Sequence, residues 1–195
     1  MQKIIYPILM LVLLTSCISV KKNNVPNIND DQLKISSVTK TKIFLDWKFS
    51  NSNFMMQKQS IIDNISSTHE KIFSEVINKA NCCEIVYEKD EADVVIKGSF
   101  NNKTSDAAIV SAFIGGYTFL TIPTWGNYKA EISAEVTKGN LNQSYHIKDS
   151  LLGVYWLPLI LAMPFYESIF KVEEQMNQNL YKNLLVEMRN DKILR

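Results

Sequence analysis

A segment of strict alternation in the second half of the chain constrains the fold more than any other feature. Through residues 128–137, apolar or small residues alternate with polar ones, as in a strand with one buried and one wet face. Residues 138–140 (Lys-Gly-Asn) supply a turn, and residues 141–147 return as a partner strand with Tyr145 and Ile147 on the buried side. The sequence therefore predicts a β-hairpin.

Apolar residues spaced three and four apart predict two long helices. The first helix extends to about residue 80 from a start at Ser60 or nearer Phe54, and the second begins near Pro164 or Phe165. The second helix has an apolar stripe of Phe165, Ile169, Val172, Met176, Leu180, Leu184 and Met188. Further strands are predicted at 42–47, 83–87 and 92–100. This order predicts an α+β fold, in which a mostly antiparallel sheet (β-α-β-β, then the hairpin) has the two long helices packed on it.

Composition excludes several classes of protein. Of the 195 residues, 46% are hydrophobic, which is enough for a packed core. The 21 basic and 20 acidic residues nearly balance, which argues against a nucleic-acid partner. Three cysteines are too few for a disulfide scaffold.

The amino terminus has the parts of a signal peptide. Lys3 gives a positive start, an apolar run follows, and small residues precede a cysteine in Leu14-Thr15-Ser16-Cys17. This motif resembles the lipobox of bacterial lipoproteins, which implies that the Cys17 thiol is acylated and becomes the first mature residue. The sequence predicts a lipoprotein signal peptide over 1–16, a lipidated Cys17 with a flexible tether over 17–40, and one α+β domain over 41–195.

The lipobox also implies a location. Ile18 follows the cysteine in place of the aspartate that is associated with inner-membrane retention. We therefore expect an outer-membrane lipoprotein that faces the periplasm, with the covalent lipid on Cys17 and no other cofactor.

A βαββ pattern over roughly residues 42–150 resembles two kinds of periplasmic protein. The segments that carry it are Cys-Glu-Ile-Val-Tyr-Glu at 83–88, Glu-Ala-Asp-Val-Val-Ile-Lys-Gly-Ser-Phe at 91–100 and the hairpin from 128. One kind is the curli-secretion channel lipoprotein family, and the other is the amino-terminal domain of the Tol translocation protein that carries a β-propeller. The first resemblance implies an oligomeric secretion channel as one possible function.

Two long uncharged segments lie outside the predicted strands, at 107–123 and 151–166. They either cover the core, with a short helix at 107–113, or contact the bilayer beneath the anchor, or bind a protein partner or a second copy. With Trp125 included, segments 107–125 and 151–166 are the predicted contact surface. The candidate membrane or partner contacts are Phe113, Tyr117, Phe119, Trp125, Tyr155, Trp156 and Leu157, and Tyr128 is a further interfacial aromatic.

No residue pattern predicts catalysis or metal binding. His69 is expected on the inner side of the first helix, either partly buried or at the boundary, and His146 is expected on a wet strand face. The two histidines do not have the spacing of metal ligands. Adjacent Cys82 and Cys83 are compatible either with a disulfide or with two thiols. The acidic residues Asp90, Glu91 and Asp93 are typical of a solvated turn.

These observations predict a non-enzymatic, lipid-anchored envelope lipoprotein that serves as a structural or accessory component of an envelope assembly, in export or outer-membrane maintenance. Its partners would be the membrane, through the lipid, and a protein or second copy, through the apolar segments. The alternatives are a secretion-channel lipoprotein similar to the curli channel family, and an envelope enzyme whose site the sequence does not reveal.

Overall fold

In the computed structural model, the residues that the structure describes are 17–34, 39–51, 59–159 and 166–194. The predicted signal peptide, residues 1–16, lies outside them. The elements in chain order are β1 (Cys17–Lys21), α1 (Asp30–Leu33), β2 (Thr41–Asn51), α2 (Gln59–Ala80), β3 (Cys83–Val86), β4 (Val94–Thr104), α3 (Asp106–Tyr117), β5 (Thr124–Lys138), β6 (Leu141–Tyr155) and α4 (Ile169–Asn190).

The predicted α+β class is confirmed, with one six-stranded sheet in the order β1-β6-β5-β4-β2-β3. β1 pairs antiparallel with β6, whereas β2 pairs parallel with both β3 and β4. The β2–β3 pair is parallel because α2 carries the chain back to the starting edge, as a helical crossover does. The sheet is thus mixed, with its parallel pairs centred on β2.

Contacts within the chain group into two compact units, whereas the sequence shows no boundary inside residues 41–195. Unit 1 contains the described residues of Met1–Lys22, Thr104–Lys129 and Ser150–Met176. Unit 2 contains those of Asn23–Lys103, Ala130–Asp149 and Asn177–Arg195. Neither unit is a continuous stretch of chain, which explains why a shift in composition along the sequence does not mark them.

An aromatic cluster from four elements forms part of the core of unit 2. The Trp47 ring of β2 lies 5.5 Å from that of Phe73 in α2 and 5.8 Å from that of Tyr181 in α4. Phe100 of β4 lies 6.1 Å from Tyr181. Both long helices therefore pack on the same face of β2 and β4.

The second long helix begins later than predicted. α4 starts at Ile169, and the predicted starting residues Pro164 and Phe165 lie outside the described residues. The Ser168 hydroxyl accepts a hydrogen bond from the amide of Lys171 at 3.4 Å, as an N-cap residue does. Its predicted stripe is confirmed where described, with Ile169 half-buried and the others buried: Val172, Met176, Leu180, Leu184 and Met188.

The segment predicted as a flexible tether is ordered where the structure describes it. Residues 17–21 form β1, and Leu33 at the end of α1 is only 1% exposed. In unit 2 the side-chain amides of Asn179 and Asn183 each donate to the Pro26 carbonyl at 2.9 Å. The tether prediction is wrong for these residues, because polar side chains on a distant helix supply partners that the local sequence does not show.

The two adjacent cysteines form a disulfide at the start of β3, and both are buried.

The acidic residues after β3 lie at a turn. Asp90 and Glu91 belong to a 3-10 turn, and the Asp93 carboxylate accepts a hydrogen bond from the Lys42 amide at 2.9 Å. These carboxylates are therefore turn residues, as the sequence predicts. The structure describes no group of three or more His, Cys, Asp or Glu residues arranged to hold a metal ion.

Candidate functional site

The burial pattern of α3, in unit 1, is the opposite of that of an ordinary surface helix. Its buried residues are the small Ala108 and Gly115. Its large apolar side chains point outward, with Phe113 66% and Tyr117 90% exposed. A surface helix normally buries its large apolar residues and exposes polar ones, so this helix presents an apolar face to whatever surrounds it.

Close contacts fix α3 against the first residues of β5. The Ser105 hydroxyl caps the helix by accepting from the Ala108 amide at 3.3 Å, and the Ser111 hydroxyl accepts from the Trp125 amide at 2.9 Å. A Cβ placed on Gly126 would lie 2.9 Å from the Cβ of Ala108. Small residues on both sides therefore let the helix lie directly on the strand.

The loop after α3, residues 118–122, meets the end of β6. The amide of Leu157 donates to the Leu120 carbonyl at 2.8 Å, and the Trp156 indole N–H donates to the Thr121 carbonyl at 3.2 Å. In this loop Phe119 is 70% exposed. The two uncharged segments are thus joined by hydrogen bonds at one end of unit 1.

The predicted acylation residue lies at this same end. β1 pairs with β6 so that Cys17 is opposite Tyr155, the residue before Trp156. The Tyr155 carbonyl in turn accepts from the Thr124 hydroxyl at 3.4 Å. We call the surface formed by the exposed side of α3, loop 118–122 and Trp156 the apolar end of unit 1.

The predicted contact residues divide into two groups. Those exposed in the structure are Phe113, Tyr117, Phe119, Trp125 and Trp156. Tyr155 and Leu157 are half-buried, because they lie where β6 ends and contacts loop 118–122. Tyr128, the further predicted interfacial aromatic, is also half-buried, within β5.

The prediction that the second segment, 151–166, lies outside the strands is wrong for its first residues. Residues 151–155 belong to β6, and residues 160–165 fall outside the described residues. The first segment does form a helix, and that helix continues to Tyr117 instead of ending near 113. Each segment therefore both covers the core and forms part of the surface, because each has a buried and an exposed side.

Exposed large apolar residues are concentrated in unit 1. Among the described residues, all of them except Tyr87 and Leu141 lie in that unit. Single exposed apolar residues are ordinary on protein surfaces, whereas a concentration in one unit marks a contact surface.

A cavity of about 490 Å³ lies inside unit 1, behind α3. Ala108, Leu120, Tyr155 and Ile169 are among its apolar lining residues, and Glu173 lies in its wall. Burial raises the pKa of Glu173, and a hydrogen bond from Tyr128 partly opposes this effect. The sequence gives no signal of this cavity, since its walls come from five separate elements and the loop after α3.

The two histidines occupy contrasting sites in unit 2. His69 is 4% exposed, so the prediction that it lies on the inner side of α2 is confirmed, and it is fully buried instead of partly buried or at the boundary. The predicted exposure of His146 is confirmed, and its Nδ1 lies 3.0 Å from the Ser133 hydroxyl and its Nε2 2.9 Å from Glu131. The two-residue turn of the hairpin places Ser133 opposite His146. The register of the hairpin alone could therefore have revealed the group of Ser133, His146 and Glu131. Its members lie on an open strand surface.

No helix among the described residues is both long enough and apolar enough to cross a membrane. The apolar end is built from a helix of 12 residues and a loop.

No protein-family model matches the chain, and no curated protein sequence matches it. Among solved structures, it is similar to the hypothetical protein CT253 from Chlamydia trachomatis, with 8% identity, a TM-score of 0.32, and coverage of 59% of this chain and 72% of that one. It is also similar to a PelC dodecamer from Paraburkholderia phytofirmans, with 8% identity, a TM-score of 0.34, and coverage of 87% and 94%.

Proposed function

We propose that this protein is a non-enzymatic lipoprotein of the bacterial envelope, acylated on Cys17, which rests the apolar end of unit 1 on the bilayer that holds its lipid. The observation that carries the proposal is the register of β1 with β6. This register sets Cys17 opposite Tyr155, next to the exposed aromatic side chains. Acyl chains attached there would enter the membrane beside Phe119 and Trp156 without any intervening tether.

The chemistry of the apolar end fits a bilayer surface. Residues 107–123 carry no charge, so no charged group of this segment would have to lose its water on contact. Tryptophan and tyrosine side chains are favoured at the depth of the lipid head groups. Placement in the outer membrane follows from Ile18, and a periplasmic orientation is a further part of the same proposal. The role would be that of an accessory component, held at high local concentration on the membrane.

Replacing Cys17 with serine is expected to remove the anchor. In a bacterial host supplied with an alkyne-tagged palmitate, the full chain should incorporate the label and sediment with outer membranes. The Cys17→Ser variant should be unlabelled and should appear in the periplasmic soluble fraction, because only a thiol forms the required thioether. A Cys82→Ser, Cys83→Ser double variant serves as the matched control and should keep its label. Absence of label from the unmodified chain would sink the proposal.

The contact surface has its own test. With Cys17→Ser protein and vesicles of phosphatidylethanolamine and phosphatidylglycerol, Phe113→Asp should weaken binding at least about tenfold, since one buried aromatic contributes about 1.5–3 kcal/mol. Tyr87→Asp is the matched control, because Tyr87 is an exposed aromatic of unit 2, and it should change nothing. Measuring the native mass of the protein in mild detergent tests the alternative, which is self-association through this surface. A defined oligomer that Phe113→Asp dissociates would assign the surface to self-association and overturn the membrane contact.

A further inference from the structure

We infer that the cavity of unit 1 is a binding site for a single-chain amphiphile with an uncharged, hydrogen-bond-donating head group, such as a fatty alcohol or a monoacylglycerol. This inference goes beyond the proposed function and does not require that Cys17 be acylated. Every residue that lines the cavity belongs to unit 1.

The size and walls of the cavity suit one alkyl chain. Its volume of about 490 Å³ falls within the range of ligand pockets, roughly 300–1,000 Å³. Leu120, Tyr155, Ile169 and Phe170 supply apolar wall. Small residues hold the space open, because a Cβ on Gly153 would meet Ile169 at 3.1 Å and Tyr155 at 3.3 Å.

Two hydrogen-bond acceptors in the cavity wall, Asn127 Oδ1 and the Glu173 carboxylate, favour a head group that donates hydrogen bonds. Asn127 lines the cavity, and its Oδ1 atom is buried without a hydrogen-bond partner among the described residues. An unpartnered buried acceptor costs about 1–3 kcal/mol, so a donor on the ligand would be stabilising. Glu173 lies in the same wall and adds carboxylate oxygens.

The negative charge in the cavity wall argues against a fatty acid as the ligand. The residues that line the cavity include the acidic Glu173 and no lysine or arginine. A carboxylate head group would face a like charge at low dielectric, which disfavours binding. A hydroxyl head group avoids this repulsion and can donate to either acceptor.

The first test compares two tryptophan substitutions on α3. Ala112 and Ala107 are both exposed residues of α3, but only Ala112 lines the cavity. With 1-dodecanol as the probe, titrated against full-chain Cys17→Ser protein by calorimetry, Ala112→Trp should raise Kd at least about tenfold, because the indole occupies the site. Ala107→Trp should leave Kd unchanged. Circular dichroism of both variants confirms that each is folded.

The second test concerns the head group and stands even if Ala112→Trp fails to fold. The unsubstituted cavity should bind 1-dodecanol at least about tenfold more tightly than dodecanoate at neutral pH, because the dodecanoate carboxylate meets Glu173. Glu173→Gln should narrow this ratio by improving dodecanoate binding. Equal binding of both probes, or no binding of 1-dodecanol, would overturn the inference. Neither outcome bears on acylation of Cys17, so the two proposals fail separately.

Discussion

Acidification from about pH 7.5 to about pH 4 is expected to remove about 3 kcal/mol of the free energy of unfolding through one side chain, His69. Burial lowers the pKa of His69 from 6.5 to about 4. The unfolded chain therefore binds a proton below about pH 6.5, while the folded chain remains neutral until about pH 4. The contribution is fully present above the unfolded pKa and is lost progressively as the pH falls between these two values.

The surroundings of His69 explain why it stays neutral. Its ring centroid lies 3.8 Å from that of Phe100 and 5.4 Å from that of Phe49. Its Nδ1 lies 3.2 Å from the Tyr181 hydroxyl. Protonation would place a charge among aromatic rings, away from water, which is the costly state.

Urea titrations followed by tryptophan fluorescence would measure the effect. His69→Gln cannot be protonated, so its free energy of unfolding should change less than that of the unsubstituted chain over this interval, by about 3 kcal/mol. His146→Gln is the matched control, because it removes the exposed histidine and leaves His69 in place; it should keep the loss of about 3 kcal/mol that is due to His69. Parallel pH profiles for His69→Gln and the unsubstituted chain would show that His69 is not the group responsible. Other titrating carboxylates are common to all three proteins and cancel in the difference.

Local periodicity was sufficient to predict the hairpin and the helix that carries this histidine. The alternation in residues 128–137 predicted the hairpin. The three-and-four spacing predicted a helix up to Ala80 that starts at Ser60 or nearer Phe54, and the observed α2 is Gln59–Ala80. These patterns are reliable because each is set by one face of one element. They predicted that His69 lies on the inner side of α2, but not that three other elements supply rings around it.

Non-local partners account for what the sequence did not predict. The chain before β2 is polar, and the Asn179 and Asn183 side chains that hold it lie more than 150 positions away, at separations of 153 and 157. The cavity likewise depends on Ala108 and Gly153 coming together from α3 and β6. Neither position has a local pattern that could have revealed it, since small residues fit a turn, a helix or a close packing contact equally well.

For the apolar end of unit 1, the sequence predicted an apolar segment but not which of its residues face outward. An uncharged run predicted burial or contact, and the structure places small residues inward and large ones outward on the same helix. Hydrophobicity alone cannot assign these sides, because all of the residues concerned are apolar. The residues that face the sheet, Ala108 and Gly115, are both small enough for close approach.

Adding one methyl group at Gly98 is expected to destabilise unit 2 by about 1–3 kcal/mol, the usual effect of overpacking. The parallel register of β2 with β4 sets Gly98 opposite Trp47, and the indole ring lies over the glycine. A Cβ at position 98 would lie 2.4 Å from Trp47 Cζ3 and 2.5 Å from Cε3. The ring has little room to move, because Phe73 and Tyr181 pack against it.

A double-mutant cycle separates this steric effect from the general cost of changing a glycine. In a Trp47→Leu background the obstruction is gone, so Gly98→Ala should become neutral or stabilise by up to about 1 kcal/mol, because glycine weakens a strand interior. Gly116→Ala is the matched control on α3, where an added Cβ meets nothing within 4 Å. It should stabilise by up to about 1 kcal/mol, as alanine does in a helix. If Gly98→Ala costs the same in both backgrounds, Trp47 does not require the glycine, and the ring cluster of unit 2 has more freedom than its distances indicate.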